Sequence, residues 1–144
     1  MKFKGYKRAD GRVGVRNYIA VIPSVFCANK VAEKIAQNIE EAICLKHGVG
    51  CSQVGEDLEQ TARTLKNLAN HPNIEGVLIA GLGCERFTSL EFYREVKKFG
   101  KPVEKLIIQE EGDTLQAIYK GTLLLKKLNY KVSDNKREEF DISD

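Results

Sequence analysis

Cys27, Cys51 and Cys84 each lie just beyond a strand-like apolar run, and a polar residue follows each closely: Asn29, Gln53 and Glu85. Thiolates and carboxylates gathered on one rim of a parallel sheet can hold a borderline-soft metal ion or move protons on a bound ligand. His47-x-x-x-Cys51 adds an imidazole on the glycine-rich loop His47-Gly-Val-Gly-Cys-Ser-Gln-Val-Gly55. With Cys27, Cys84 or Glu85, that pair supplies enough donors for Zn²⁺ or Fe²⁺, although the Cys-x-x-Cys spacing of a structural zinc site is missing. A second group, Asp10-Gly-Arg-x-Gly-x-Arg-Asn17, sets Arg12, Arg16 and Asn17 among flexible glycines. It suits bidentate recognition of a carboxylate and equally a polar hairpin packed on the sheet edge.

The elements that must position these residues follow from hydrophobic period. Residues 1–17 read as a basic, glycine-punctuated lead-in with a tight turn at Asp10-Gly11. A first strand over 18–25 leads to a helix capped by Asn29, with Val31, Ala32, Ile35, Ala36 and Ile39 on one face. A strand over 41–46, a helix from Asp57 to Ala69, and a stop at Asn70-His71-Pro72-Asn73 follow. The continuous apolar strand 76–81 is one covered on both faces. Thr88-x-x-Glu91 opens the next helix as a capping box, a fourth strand spans 103–108, and Asp113-x-x-Gln116 caps a last helix reaching Leu128. The pattern predicts an α/β fold: a three-layer, Rossmann-like or flavodoxin-like domain with a roughly four-stranded parallel sheet of order 2-1-3-4 behind a basic, hairpin-like lead-in. That domain occupies residues 1–130, and 131–144 read as an acidic linker or disordered tail. Cys44, within the second strand, reads as a small buried apolar residue.

Composition narrows the function. A chain of 144 residues, 42% hydrophobic and 30% charged, forms one domain with a real core. No apolar run reaches the length of a membrane span, and the first residues lack the apolar stretch of a signal peptide, so a reducing cytoplasm and free thiols are expected. Lys2, Lys4, Lys7, Arg8, Arg12 and Arg16 face a single acid, Asp10, but only Tyr6 stands among them to stack a base. A small anionic ligand therefore suits the patch better than nucleic acid. Gly81-Leu-Gly-Cys-Glu-Arg86 is only the start of a dinucleotide fingerprint, with arginine where the third glycine belongs. His71 sits at a helix end on the opposite rim from the cysteine loops, and Arg63 reads as a surface residue.

Six phrases in order carry a more specific signal: Gly5-Tyr-Lys-Arg-Ala-Asp-Gly-Arg-Val-Gly-Val-Arg-Asn17, Val25-Phe-Cys-Ala-Asn29, His47-Gly-Val-Gly-Cys-Ser-Gln53, Thr61-Ala-Arg-Thr-Leu65, His71-Pro-Asn73 and Gly81-Leu-Gly-Cys-Glu85. Together, over about residues 5 to 110, they resemble the main domain of the altronate dehydratase and galactarate dehydratase family, which includes the large subunit of sulfolactate sulfo-lyase. The resemblance implies a hydro-lyase that dehydrates a sugar acid with a divalent metal, Fe²⁺ first and Mn²⁺ or Zn²⁺ as alternatives. It makes His47 and Glu85 candidates for catalysis and Cys51 and Cys84 for the metal. Arg12, Arg16, Asn17, Asn29 and Gln53 become candidates for gripping the substrate. Whether His47 is ligand or base stays open. Family enzymes are longer, so the chain is expected to be incomplete and inactive alone, its partners being the anionic sugar acid and a carboxy-terminal half. A homo-oligomer is allowed; nucleic acid and membrane are not expected. The alternative is a non-catalytic Rossmann-like module that binds a ligand or partner.

Overall fold

In a computed structural model, which describes residues 1–143, the lead-in forms β1 (Lys2–Lys7) and β2 (Val13–Gly14). They pair antiparallel, Tyr6 opposite Gly14, and the turn between them closes through the Arg8 N–H on the Arg12 carbonyl. The expected hairpin is present. Behind it come β3 (Tyr18–Pro23), α1 (Asn29–Ala36), β4 (Ala42–Cys44), α2 (Gly55–Ala69) and β5 (Ile74–Gly81). Then α3 (Ser89–Lys97), β6 (Val103–Ile107), α4 (Thr114–Val132) and β7 (Glu138–Asp141) complete the described chain.

β4, β3, β5 and β6 make one parallel sheet in that order, with Ile19 in register with both Ala42 and Gly76. This is the predicted 2-1-3-4 order of a Rossmann-like sheet. Alternation within the apolar runs sends side chains to both faces. Ile19, Val21, Leu78 and Ala80 pack with α1 and α4, while Ala20, Ile22, Val77 and Ile79 pack with α2 and α3. Each fully buried Ile, Leu or Val contributes about 1.5–3 kcal/mol, so the layers are held chiefly by this double-sided burial. The capping box is formed: Thr88 Oγ1 accepts from the Glu91 N–H, and Glu91 accepts from the Thr88 N–H. Asp113 caps α4 by accepting from the Gln116 N–H.

Two expectations change. Asn29 does not cap α1; Ala28 holds that position, and the Asn29 amide instead donates to the His47 carbonyl at 2.7 Å. The preceding 3₁₀ turn, Phe26–Ala28, has already begun the helical path, so the asparagine side chain is released to tie down a neighbouring loop. The acidic tail is not simply linker or disorder, because β7 pairs antiparallel with β1. Phe3 meets Phe140 with ring centroids 6.1 Å apart, and Lys2 Nζ lies 2.7 Å from Glu139. The basic strand at one end and the acidic strand at the other complement each other, as cross-strand pairs do. The last residue of that tail, Asp144, lies outside the described residues. No helix among them is long and apolar enough to cross a membrane.

Candidate functional site

Parallel strands deliver the loops after β3, β4, β5 and β6 to one rim, and hydrogen bonds there stitch three of the loops together. His47 is the central stitch. Its Nε2 lies 2.8 Å from the Pro23 carbonyl at the end of β3, and its Nδ1 faces the Val49 N–H at 3.4 Å. The carbonyl can only accept, so Nε2 carries the proton and Nδ1 keeps its lone pair. Asn29 grips the His47 backbone from α1, and the Phe26 N–H donates to the Val49 carbonyl at 2.9 Å.

The loop after β5 is shaped around one carboxylate. Glu85 is 5% exposed and accepts from the Ser24 hydroxyl at 2.7 Å and from the Gly83 N–H at 2.6 Å. Gly81 makes room for it, since a Cβ there would stand 2.6 Å from the carboxylate. Gly83 takes φ +126°, which turns its N–H toward Glu85 and which other residues rarely adopt. Gly81-Leu-Gly-Cys-Glu85 is therefore a self-contained carboxylate cradle, bridging the two strands at the switch point of the sheet. Each Glu85 oxygen accepts one hydrogen bond within the chain, and the two bonds tie these loops together.

Cys27, Cys51 and Cys84 all lie exposed on this side of the sheet. Cys44 is half-buried in β4, and burial pushes its thiol up to about 11, in keeping with a packing role. Among the described residues, no three His, Cys, Asp or Glu groups converge closely enough to hold an ion.

The arginine group lies on the other rim. β3 begins at Tyr18, so the residues just before it stand where the strands start, roughly 16 Å from the cysteine loops. Arg12 pairs with Asp10, holding that carboxyl below its usual range, and donates to the carbonyl and side chain of Asn70. The Asn17 amide donates to the Val132 carbonyl, and its oxygen accepts from Arg8 at 2.8 Å. Arg16 is exposed, with its backbone held by Asn73 and Arg8. Arg12, Arg16 and Asn17 therefore do not share a rim with His47, Glu85, Cys51 and Cys84. Two residues that the sequence reading passed over dominate this end. Arg8 is buried against Glu75, Asn17 and the carbonyls of Pro72 and Arg16. Lys101 is buried with its ammonium on the carbonyls of Ala69, His71 and Ile74. Burial, then the charges of Arg8 and Arg12, pull Lys101 down to about 8. His71 is on this rim as expected, its Nδ1 accepting from the Asn73 N–H.

Between the exit of β4 and α2 lies a cavity of about 420 Å³, within the range of small-molecule sites. His47 and Gln53 open onto it, above Leu45, Leu65 and Leu68. Gln53 donates weakly to the Asp57 carbonyl, while its buried Oε1 has no partner among the described residues. Of the sequence candidates, the fold therefore brings together His47 and Gln53 around the cavity, with Asn29 behind and Glu85 bracing the adjoining loops.

A family model described as D-galactarate dehydratase/Altronate hydrolase, second domain, matches residues 5–133. An altronate dehydratase of Bacillus subtilis (strain 168) is 36% identical over 153 residues, covering 99% of this chain and 30% of that protein. An altronate dehydratase of Escherichia coli (strain K12) is 34% identical, covering 96% of this chain and 30% of its own. The (2R)-sulfolactate sulfo-lyase subunit beta of Chromohalobacter salexigens is 33% identical, covering 99% of this chain and 36% of that subunit. The chain thus spans about a third of the length of these relatives. No solved structure matches it.

Proposed function

The chain belongs to the D-galactarate dehydratase/altronate hydrolase second-domain family, and from that premise we propose that it is one part of a hydro-lyase that removes water from a sugar acid of the altronate or galactarate type. The family match along nearly the whole chain carries this reading. Dehydration breaks the C–H bond beside the carboxylate and the C–O bond on the next carbon, so it needs a base and an acid that reach neighbouring carbons.

His47 is the base in this proposal. The Pro23 carbonyl fixes its Nε2–H, which leaves the lone pair on Nδ1, met only by the long Val49 contact. A histidine oriented at one nitrogen and available at the other is suited to taking a proton. Gln53 offers an unmatched acceptor to a substrate hydroxyl at the same cavity. Glu85 and Asn29 act as positioning residues that hold the loops around His47. Cys51 and Cys84 remain available as donors to an ion whose other ligands come from elsewhere in the enzyme, and no step here passes through a metal. The remaining groups come from the portion of the longer relatives that this chain does not cover, so the chain alone is inactive in this reading. The four free cysteines suit a reducing cytoplasm.

One observation favours a second reading, a non-catalytic ligand-binding module: both His47 nitrogens and both Glu85 oxygens already have partners within the chain. Reconstitution separates the two. The chain is combined with the carboxy-terminal region of the Bacillus subtilis relative, and keto-acid formation from altronate and galactarate is measured. The hydro-lyase reading expects turnover that His47→Gln lowers by about 10²–10⁴-fold. Turnover unaffected by His47→Gln would remove His47 as the base, and no turnover from the combined chains would favour the binding module.

A further inference from the structure

α4 is apolar on two sides. Its inner positions Ala117, Gly121, Leu125, Leu128 and Val132 are buried, and Gly121 lets Ile35 of α1 come close. The outer side of such a helix is ordinarily polar and charged. Here Leu115, Tyr119, Leu123 and Tyr130 stand on it, 77%, 64%, 48% and 79% exposed. Their spacing puts them in one stripe along the helix, with Lys126 at the remaining rung. The opposite layer shows how this chain builds a face for water: α2 exposes Glu56, Glu59 and Arg63, and α3 exposes Glu91, Arg94 and Lys97. Single exposed leucines are ordinary, whereas a continuous apolar stripe marks a surface that another surface covers.

Charge indicates what covers it. α4 holds four lysines and no aspartate or glutamate. Lys120 and Lys127 are paired with Glu111 and Glu104 from neighbouring segments. Lys126, within the stripe, and Lys131, beside it, are exposed and have no acidic partner among the described residues. A second copy on the same stripe would gather these free ammonium groups from both helices, with no carboxylate on either helix to meet them. A partner whose apolar face is edged by carboxylates would pair with them instead. Position narrows the choice. α4 starts on the rim where β6 ends, which is the rim of His47, and runs back to the rim where the strands start. A segment laid along α4 therefore reaches the candidate site at one end. This chain covers only 30% to 36% of its longer relatives, so such a segment has a source within the same enzyme.

Resting on the hydro-lyase reading, we infer that the outer face of α4 is the docking surface for the carboxy-terminal portion of the enzyme, which lays on it an amphipathic helix with an apolar centre and acidic edges. Leu115, Tyr119, Leu123 and Tyr130 supply the apolar contact. Lys126 and Lys131 set the register and disfavour a second copy. The inner face of α4 already fixes the helix, so docking costs little further ordering.

The test co-expresses the 144-residue chain with the carboxy-terminal region of the Bacillus subtilis relative and measures the affinity of the two. Sedimentation of the chain alone and co-sedimentation with phosphatidylserine vesicles run beside it. A complex is expected, weakened about tenfold or more by Leu123→Ser and by Tyr119→Ser. Lys126→Glu should weaken it about fivefold at low salt, with the difference shrinking as salt rises. Leu90→Ser, which removes an exposed leucine of α3, should change affinity by less than about twofold. All four positions are exposed, so the variants keep the stability of the parent. The chain alone should sediment as a monomer and stay off the vesicles. Absence of a complex, a complex indifferent to Tyr119 and Leu123, a homodimer that Leu123→Ser dissociates, or vesicle binding that it abolishes would each overturn the inference. Keto-acid formation is read separately. Turnover from a complex indifferent to α4 leaves the hydro-lyase reading in place, whereas docking through α4 without turnover leaves the surface in place and removes that reading.

Discussion

The two rims of the parallel sheet use polar residues in opposite ways. Where the strands begin, Arg8 and Lys101 are buried and multiply bonded, Asn17 and Glu75 are half-buried and bonded to Arg8, and together they tie the amino-terminal hairpin and the end of α4 to the sheet. Where the strands end, the thiols are exposed, and Gln53 carries an acceptor without a partner among the described residues, beside a cavity. Polar groups satisfied within the chain hold it together; polar groups left unsatisfied are the ones free to meet a ligand. Arginine content alone is a poor guide to the site. In the most arginine-rich part of this chain, Arg8 and Arg12 are bonded within the fold.

Breaking the starting rim should cost the most. Arg8→Ala leaves Glu75 and several carbonyls without their donor, with an expected loss of about 3–5 kcal/mol in chemical denaturation. A loss under about 1 kcal/mol would remove the distinction between the rims. Glu85→Gln tests the one densely satisfied point on the other rim. Its amide oxygen can accept from the Gly83 N–H while its NH₂ donates to the rotated Ser24 hydroxyl, so two charge-assisted bonds become neutral ones, with an expected cost of about 1 kcal/mol. Stability equal to the parent would mean that the carboxylate cradle is not what holds the β5 loop.

Lys101 sharpens the comparison through pH. Its pKa falls from 10.5 to about 8 on folding, so between those values the unfolded chain binds more protons than the folded one. Stability should therefore rise as pH increases from about 8 toward 10.5, by less than about 1.4 kcal/mol per pH unit. Below about 8 this contribution is flat. Comparing denaturation across this range with Lys101→Met isolates the effect, and an identical slope in the variant would show that Lys101 is not its source.

Much of the frame was legible in the residues. The strand order follows from alternating apolar runs and right-handed crossovers, and the Thr88 and Asp113 caps follow from spacing that only local geometry controls. Features that depend on distant partners were not legible in the same way. β7 is visible only once Lys2 and Phe3 are set against Glu139 and Phe140, more than 130 residues away. Arg8 looks like one of many basic residues until the fold surrounds it. The misplaced clamp had an available signal: Asn17 immediately precedes β3, and a residue before a parallel strand stands at its starting rim. Gln53 was a candidate by resemblance, but its unmet Oε1 becomes apparent only when the loop closes over it.

The contrast between the rims is tested most directly in the reconstituted enzyme by comparing His47→Gln with Arg16→Gln. Arg16 is the arginine of the lead-in whose side chain is not committed to the fold, so it gives the other rim its best opportunity to act on substrate. The account predicts that His47→Gln lowers kcat for altronate by about 10²–10⁴-fold, while Arg16→Gln leaves kcat/KM within about threefold. Loss of turnover in Arg16→Gln with His47→Gln unimpaired would contradict it and move the chemistry to the opposite end of the sheet.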